Sequence, residues 1–442
     1  MHDKVDNTTY RRRAGLYLMH FLAFCLAINA SLLCISCVRL DQKTIILQVW
    51  DFKYGEAVMG DVMREIDRAF EEQHPGLRIE HRALSDVDDD AVLAAAIAAN
   101  AAPDVVMVHA GAELRSVEQD LRSMDSELAP HMARLLSETI AACRGSDGSI
   151  RAIPLTVQGF GWYYNKNLFK EAGIDPEKEM RNWNDFLATC ETLRRAGILP
   201  IAWGNNPAHG SDWLRRGLAS TFYSDKELRS LFASPAFADD PRFIRISSMI
   251  RELRDRDYLD STGAFRDHIT DASALFASGK AAMFYGLLSD IANWKVFSDT
   301  LGPSNVGFFP SINDKEAPRK DRMGLQGAGI VYAVLGTSPN PDLAAAYALS
   351  YLQEDTASLL IERVGALSPL RNVQYPTKKY PVLGKIFEAM NVGGDDMELY
   401  YPNLALRDAL FRYDELFINT KEIDITAYRK ALKAEAEAIL RP

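Results

Sequence analysis

Cysteine is scarce in this 442-residue chain, and its five cysteines are unevenly placed. Cys25, Cys34 and Cys37 lie in or beside an apolar N-terminal stretch, leaving Cys143 and Cys190 in the body. A disulfide framework is therefore excluded. The two body thiols could pair in an oxidising compartment, but they read better as two separate buried groups. Histidine is also sparse, eight in all and scattered, so no metal constellation is visible. Catalytic signatures are missing too: there is no G-x-S-x-G elbow and no H-E-x-x-H helix. Gly327-Ala328-Gly329 lacks the third glycine of a dinucleotide fingerprint, and no cofactor is expected. Asp86, Asp88 and Asp90 have calcium-loop spacing, but Ala91 stands where the loop needs glycine and no closing Glu follows, so they read as a solvated acidic loop. Nothing in the body is long and apolar enough to cross a bilayer.

Positive charge is in deficit. Fifty Lys and Arg face 60 Asp and Glu, a formal net charge of -10. Residues 1–37 carry Lys4, Arg11, Arg12 and Arg13 against Asp3 and Asp6, so removing that +2 leaves a body of about -12. An acidic body without a basic stripe argues against a nucleic-acid partner, because neutralising phosphates takes clustered Lys and Arg.

What is present begins with an export leader. Arg11-Arg12-Arg13 precedes an apolar run from Phe21 to Leu33, closed by Leu33-Cys34-Ile35-Ser36-Cys37. A small residue directly before cysteine resembles a bacterial lipobox, which predicts acylation of Cys37 and a mature chain tethered to a membrane. Cys34 stands where that motif usually has Leu. Two other readings stay open: an uncleaved N-terminal anchor, since the run is long, and a loose twin-arginine signal. The CxxC spacing of Cys34 and Cys37 sits in an apolar leader rather than on a strand-to-helix turn, which speaks against a redox role. Every export reading places the body outside the cytoplasm.

The length suits two lobes. Thr44–Trp50 reads as a buried strand, Val58–His74 as an amphipathic helix stopped by Pro75-Gly76, and Leu77–Arg82 as an alternating strand. An Ala-rich helix over 90–100 and a short apolar strand over 103–108 follow. This β-α-β-α-β order predicts a parallel sheet covered by helices. Ligands of such sheets bind beyond the carboxyl ends of the strands, which points to Asp51, Phe52, Lys53 and His109. Further helices are expected over 183–196, 242–254, 272–277, 341–352, 355–363 and 428–440, with strands at 306–310 and 328–334. Residues 302–324, rich in Pro and Gly, read as a long loop. Aromatic rings are frequent at strand ends and in loops: Trp50, Phe52, Trp162, Trp203, Trp213, Tyr285 and Trp294. Rings pack on the CH faces of sugars while Asp, Asn, Gln and Arg bond the hydroxyls, although core packing is the commoner fate of any one ring.

Residues 162–174, WYYNKNLFKEAGI, closely resemble the family 1 extracellular solute-binding proteins of ABC importers. Trp183-Asn184-Asp185-Phe186 and the run Leu193–Ile201 follow at that family's spacing. Upstream, Phe70-Glu71-Glu72-Gln73-His74-Pro75-Gly76 and Ala102-Pro103-Asp104-Val105 match its landmarks. Downstream, so do Phe276-Ala277-Ser278-Gly279-Lys280-Ala281-Ala282-Met283, Phe308-Phe309-Pro310 and Gly365-Ala366-Leu367-Ser368-Pro369. The resemblance implies an α/β, two-lobed periplasmic-binding-protein-like fold of type II, each lobe a sheet flanked by helices and joined by hinge crossovers. It implies a signal peptide over 1–37, a first lobe over 38–157 with a return segment over 327–371, a second lobe over 158–326, and a C-terminal helical segment over 372–442 belonging mainly to the second lobe. It implies a monomeric receptor that passes a mono- or oligosaccharide to a membrane permease, without catalysis. By motif position Asp51, Phe52, Lys53, His109, Gln158, Trp203, Asn205 and Trp213 would face the cleft, with Tyr285, Gln326 and Arg371 as further candidates. The family often has G-x-W after its A-A-M; here Phe284-Tyr285-Gly286-Leu287-Leu288 follows, so either Tyr285 or Trp294 replaces the stacking ring or the ligand is not a typical oligosaccharide.

Structural readings stand beside these: Asp51 and Asn205 as helix caps, Gln158 as a partner of hinge backbone, Arg371 as a surface or interlobe ion-pair residue. Three functional alternatives remain. A receptor for a phosphorylated polyol would need several cleft cations, of which only Lys53 and Arg371 are obvious. An extracellular carbohydrate-active enzyme would need paired carboxylates, with Asp51 and Asp212 the pair to test. A sensory co-receptor would signal through a membrane partner.

Overall fold

The computed structural model describes residues 44–84, 89–178, 180, 182–259, 268–289, 292–318, 324–391, 393–395 and 397–441. The leader, including Cys37, and the acidic residues 85–88 lie outside them, as does the side chain of Gln326. The chain divides into a small unit, which among the described residues is 44–46 with His74–Arg78, and a large unit, Leu47–Gln73 with Ile79–Pro442. In the small unit Ile45 N donates to Gly76 O at 2.8 Å.

Elements follow in chain order: β1 (Ile45–Asp51), α1 (Ala57–Gln73), β2 (Leu77–Ala83), α2 (Asp89–Ala98), β3 (Val105–His109), α3 (Ala112–Val117) and β4 (Ile153–Pro154). Next come β5 (Val157–Asn165), α4 (Trp183–Arg195), β6 (Leu199–Ala202), α5 (His209–Phe222), α6 (Pro241–Asp255), α7 (Ile269–Ala277), β7 (Ala281–Leu287), α8 (Asn293–Leu301), β8 (Val306–Phe309) and β9 (Gly324–Ala328). The chain ends with β10 (Ile330–Val334), α9 (Pro341–Ser350), β11 (Gly394–Asp395), α10 (Leu404–Asn419) and α11 (Ile425–Ile439).

One sheet has the order β2-β1-β3-β10-β4, the other β11-β9-β5-β7-β6 with β8 also on β5. The pair β1 and β3 is parallel, as the β-α-β reading predicts. The sheet as a whole is mixed, because β10 returns from far downstream and runs antiparallel to both β3 and β4. The chain passes between sheets twice through short joints, at Leu155-Thr156 after β4 and at Gly329 between β9 and β10. Gly329 N donates to Thr156 O at 3.1 Å, tying the two joints together.

Local chemistry explains the motif in β5. Asn165 caps the helix Lys166–Glu171, its side chain accepting from Asn167 N at 3.0 Å, so the strand ends where that helix begins. A Cβ on Gly161 would lie 2.1 Å from the Phe308 ring, so glycine alone lets β8 close on β5 there. Asn182, Asn403 and Asp424 cap α4, α10 and α11 in the same manner. Trp162, Tyr163, Phe186 and Trp294 are fully buried in the core of the second sheet's side. Cys143 and Cys190 are free and buried. Among the described residues no helix is long and apolar enough to cross a membrane.

Candidate functional site

A cavity of about 690 Å³ opens between elements of the two sheets. From the first sheet's side it is lined by Lys53, Glu56, Val58, His109 and Glu113; from the second's by Phe160, His209, Trp213, Arg216, Arg407 and Phe411. A smaller cavity of about 360 Å³ holds Arg115, Glu138, Gly327, Asp395 and Tyr400. The larger one is the better candidate, because it lies beyond the carboxyl ends of β1 and β3 and gathers aromatic rings with hydrogen-bonding groups.

The first wall is built by strand ends. Asp51 closes β1 and is fully buried; its Oδ1 accepts from Lys53 N at 2.9 Å and Tyr54 N at 2.6 Å, fixing the turn that presents Lys53. Lys53 Nζ pairs with Glu56 at 2.7 Å. His109 closes β3 and stacks on Phe52, ring centroids 4.7 Å apart at 20°. Glu113 accepts from His109 Nδ1 at 2.8 Å and, through its other oxygen, from Arg407 Nη1 at 2.9 Å. Burial pushes the Glu113 carboxyl up, but His109 and Arg407 outweigh it and hold it down at about 2.

The second wall comes from two helices. Positions 209, 213 and 216 share one face of α5, and 407 and 411 share one face of α10. His209 stacks on Trp213 at 5.6 Å and meets Phe411 edge-on at 5.8 Å. Trp213 packs on Phe160 at 5.5 Å, and the Arg216 guanidinium lies over Phe160 at 4.3 Å. Burial, followed by the charges of His268, His109, Arg216 and Arg407, drives the His209 imidazole down to about 3, so it is neutral. Its Nδ1 is buried with no hydrogen-bond partner among the described residues. Arg215 holds α5 to α10: its Nε donates to Asp414 Oδ2 at 3.0 Å, its Nη1 to Ser247 at 2.8 Å, and Tyr428 also donates to Asp414 at 2.6 Å.

Of the residues expected from sequence, Lys53, His109 and Trp213 come together in the cavity lining. Phe52 stands behind His109, and Asp51 beneath the Lys53 turn. Gln158 is fully buried where β5 meets β9; its Oε1 accepts from the backbone of Gly159 and Leu288, each at 3.0 Å, and its Nε2 has no hydrogen-bond partner among the described residues. Asn205 is buried and accepts from Ser211 N at 2.9 Å, bracing the start of α5. Trp203 is buried against Gly210. Tyr285 is buried behind Trp162 beside Ser311, and Trp294 is buried with Nε1 donating to Gly365 O at 2.8 Å, so neither ring lines the cavity. Arg371 is exposed away from it, with Nε donating to Leu135 O at 2.8 Å. The Asp51 and Asp212 carboxylates do not form a pair across the cavity: Asp51 is bound to His81 and Asp212 to Arg216, and neither lines it.

Sequence reading missed Glu113, Phe160, His209, Arg216, Arg407 and Phe411. The spacing of His209, Trp213 and Arg216 was a usable signal, but the helix that carries them was not recognised. Among the described residues no group of His, Cys, Asp and Glu could hold a metal ion.

Comparison with known proteins agrees with this architecture. Curated relatives include an uncharacterised ABC transporter extracellular-binding protein of Pyrococcus horikoshii, 28% identical over 144 residues, 31% of this chain and 32% of that one. Another is the sn-glycerol-3-phosphate-binding periplasmic protein UgpB of Brucella abortus, 25% identical over 153 residues, 31% of each. The chain thus spans about a third of the length of the curated relatives it matches. Solved structures with this fold include one from work on xylan utilisation by Caldanaerobius polysaccharolyticus, with TM-score 0.76, 21% identity, and coverage of 88% of this chain and 99% of that one. A chitin oligosaccharide binding protein gives 0.75, 18%, 90% and 99%, and RafE in complex with raffinose 0.70, 17%, 90% and 100%. At these identities the likeness shows the fold, the two-lobed type II binding-protein fold. The family model of the bacterial extracellular solute-binding proteins matches residues 56–356, more than half of the chain, and the protein belongs to that family.

Proposed function

We propose that this protein captures a mono- or oligosaccharide in the cavity between its two sheets and delivers it to an ABC permease. The observation that carries the reading is the aromatic wall of Trp213, Phe160, His209 and Phe411, which faces Lys53 and His109 across the cavity. Flat rings suit the CH faces of a sugar, and His209 Nδ1, without a hydrogen-bond partner among the described residues, suits a hydroxyl. The chitin-oligosaccharide and raffinose binders of the same fold support it. Capture is by an open form that closes around solute at the inter-sheet joints, without catalysis. The body is exported, monomeric and held at the membrane through an acylated Cys37.

A second reading, a phosphorylated polyol, is favoured by one observation that sequence did not anticipate. Arg216, Arg407, Lys295 and Arg363 join Lys53 in the lining. The glycerol-phosphate-binding relative points the same way. Against it, Lys53, Lys295, Arg363 and Arg407 are each committed to a carboxylate within 3 Å.

A thermal-shift screen against mono-, di- and trisaccharides and glycerol phosphates separates the two. Solute bound only to the folded state at 100 times its Kd adds about 2.7 kcal/mol. A saccharide shift that disappears in Trp213→Ala is expected; a shift from glycerol phosphate alone would replace the sugar reading with the second one.

A further inference from the structure

A histidine lies buried directly beneath the cleft turn. His81, on β2, has a fully buried side chain, and both its ring nitrogens face carboxylates. Nδ1 is 2.5 Å from Asp51 Oδ2, and Nε2 is 3.3 Å from Asp67 on α1. Tyr347 Oη, 3.1 Å from Nε2, already donates to Asp67 Oδ1 at 2.7 Å. A carboxylate accepts hydrogen bonds and donates none, and a neutral imidazole has a single N–H. A neutral ring would therefore set a bare lone pair against one of the two aspartates in a site closed to water. The imidazolium, with two N–H groups, satisfies both.

We propose that His81 is a positioning residue for the ligand cleft: clamped as an imidazolium between Asp51 and Asp67, it fixes Asp51 and, through it, the turn that presents Lys53. The link to the turn is direct, since the other oxygen of Asp51 accepts both Lys53 N and Tyr54 N. Tyr54 closes the arrangement from above, its ring stacked on His81 at 3.9 Å and 5°. The inference rests on the reading that this cavity takes the solute.

The groups around the ring agree with that charge state. Asp51 faces it from β1, Tyr54 from the turn, Asp67 from α1 and Tyr347 from α9. Arg64 lies over Tyr54 at 5.1 Å, and Tyr332 and Tyr351 pack behind Tyr347. Burial keeps Tyr332, Tyr347 and Tyr351 as neutral hydroxyls. Burial also disfavours the charged ring, but hydrogen bonds and charge from Asp51 and Asp67 outweigh it and raise the His81 pKa above 6.5. The clamp is thus complete below that value and is lost as pH rises through the raised one.

Two readouts on the ligand-free protein test it. Ring-nitrogen NMR is expected to show His81 doubly protonated at pH 7. Amide exchange at Lys53 and Tyr54, referenced to Val105 and corrected for base catalysis, is expected to quicken at least tenfold in His81→Gln and in the wild type at high pH. Asp67→Asn, whose amide can donate to a ring nitrogen, should return the His81 titration towards its ordinary range while keeping the fold. A singly protonated His81 at pH 7, unchanged exchange at Lys53 and Tyr54 in His81→Gln, or an unmoved titration in Asp67→Asn would each overturn the proposal. Neither readout uses solute, so failure here is distinct from failure of the solute-capture reading.

Discussion

Glu113 and Arg407 join the two sides of the cleft: the carboxylate, on the helix that follows β3, accepts from a guanidinium on α10 at 2.9 Å. The same carboxylate holds His109, so one side chain links the lining of both walls. Arg407→Met should loosen this link and leave Glu113 held by His109, at a cost of about 1–3 kcal/mol. Urea unfolding would read the loss, and it should be accompanied by weaker solute binding.

Acid should probe the same contact. Glu113 is held at about 2 against an ordinary 4.5, so its contribution is complete above pH 4.5 and is lost as pH falls through about 2. The shift corresponds to roughly 3 kcal/mol. Glu113→Gln should flatten the stability profile between those limits. An unchanged acid limb would mean that the pair contributes little.

Under the proposed function, Trp213 is the cavity ring expected to carry binding energy. Trp213→Ala should weaken saccharide binding by roughly 2 kcal/mol, about thirtyfold, as buried aromatic anchors do. Because the ring also packs on Phe160, the alanine leaves a void, and Trp213→Phe serves as the control. Calorimetric titration of both variants should rank the phenylalanine between wild type and alanine.

The fully buried Arg215–Asp414 pair is a different case. Asp414→Ala strands a buried guanidinium and should cost about 3–5 kcal/mol, whereas replacing both partners with apolar residues of similar size should be far milder. Chemical denaturation of the single and double variants distinguishes the two outcomes. Equal losses would show that the pair is not the source of the cost.

Gly327 lies in β9, two residues before the joint at Gly329, with φ of 79°, and a Cβ there would lie 2.4 Å from the Glu138 carbonyl oxygen. Gly327→Ala should therefore destabilise by at least about 2 kcal/mol, from the left-handed backbone together with the clash. A thermal melt unchanged from wild type would contradict this.

Sequence by itself determined what local chemistry can write. The apolar runs of β1 and β3, the alternation of β2, the capped helix after Asn165 and the amphipathic face of α1 follow from side-chain pattern and from groups a few residues apart. The strand-end rule pointed to Lys53 and His109, which line the larger cavity, because a β-α-β order implies where strand ends gather. Tertiary structure decided the rest. That β10 would enter beside β3 and make the sheet mixed, that Trp294 would be sealed in the core while Trp213 reached the cavity, and that Asp51 would meet His81 while Glu113 met Arg407, all depend on residues tens to hundreds of positions apart. Loop closure brings such pairs together only when the hydrophobic cores of both sides have formed, so no local pattern announces them. Two residues of the cavity lining are therefore legible in the sequence, but its charge pairing and its aromatic wall are products of packing.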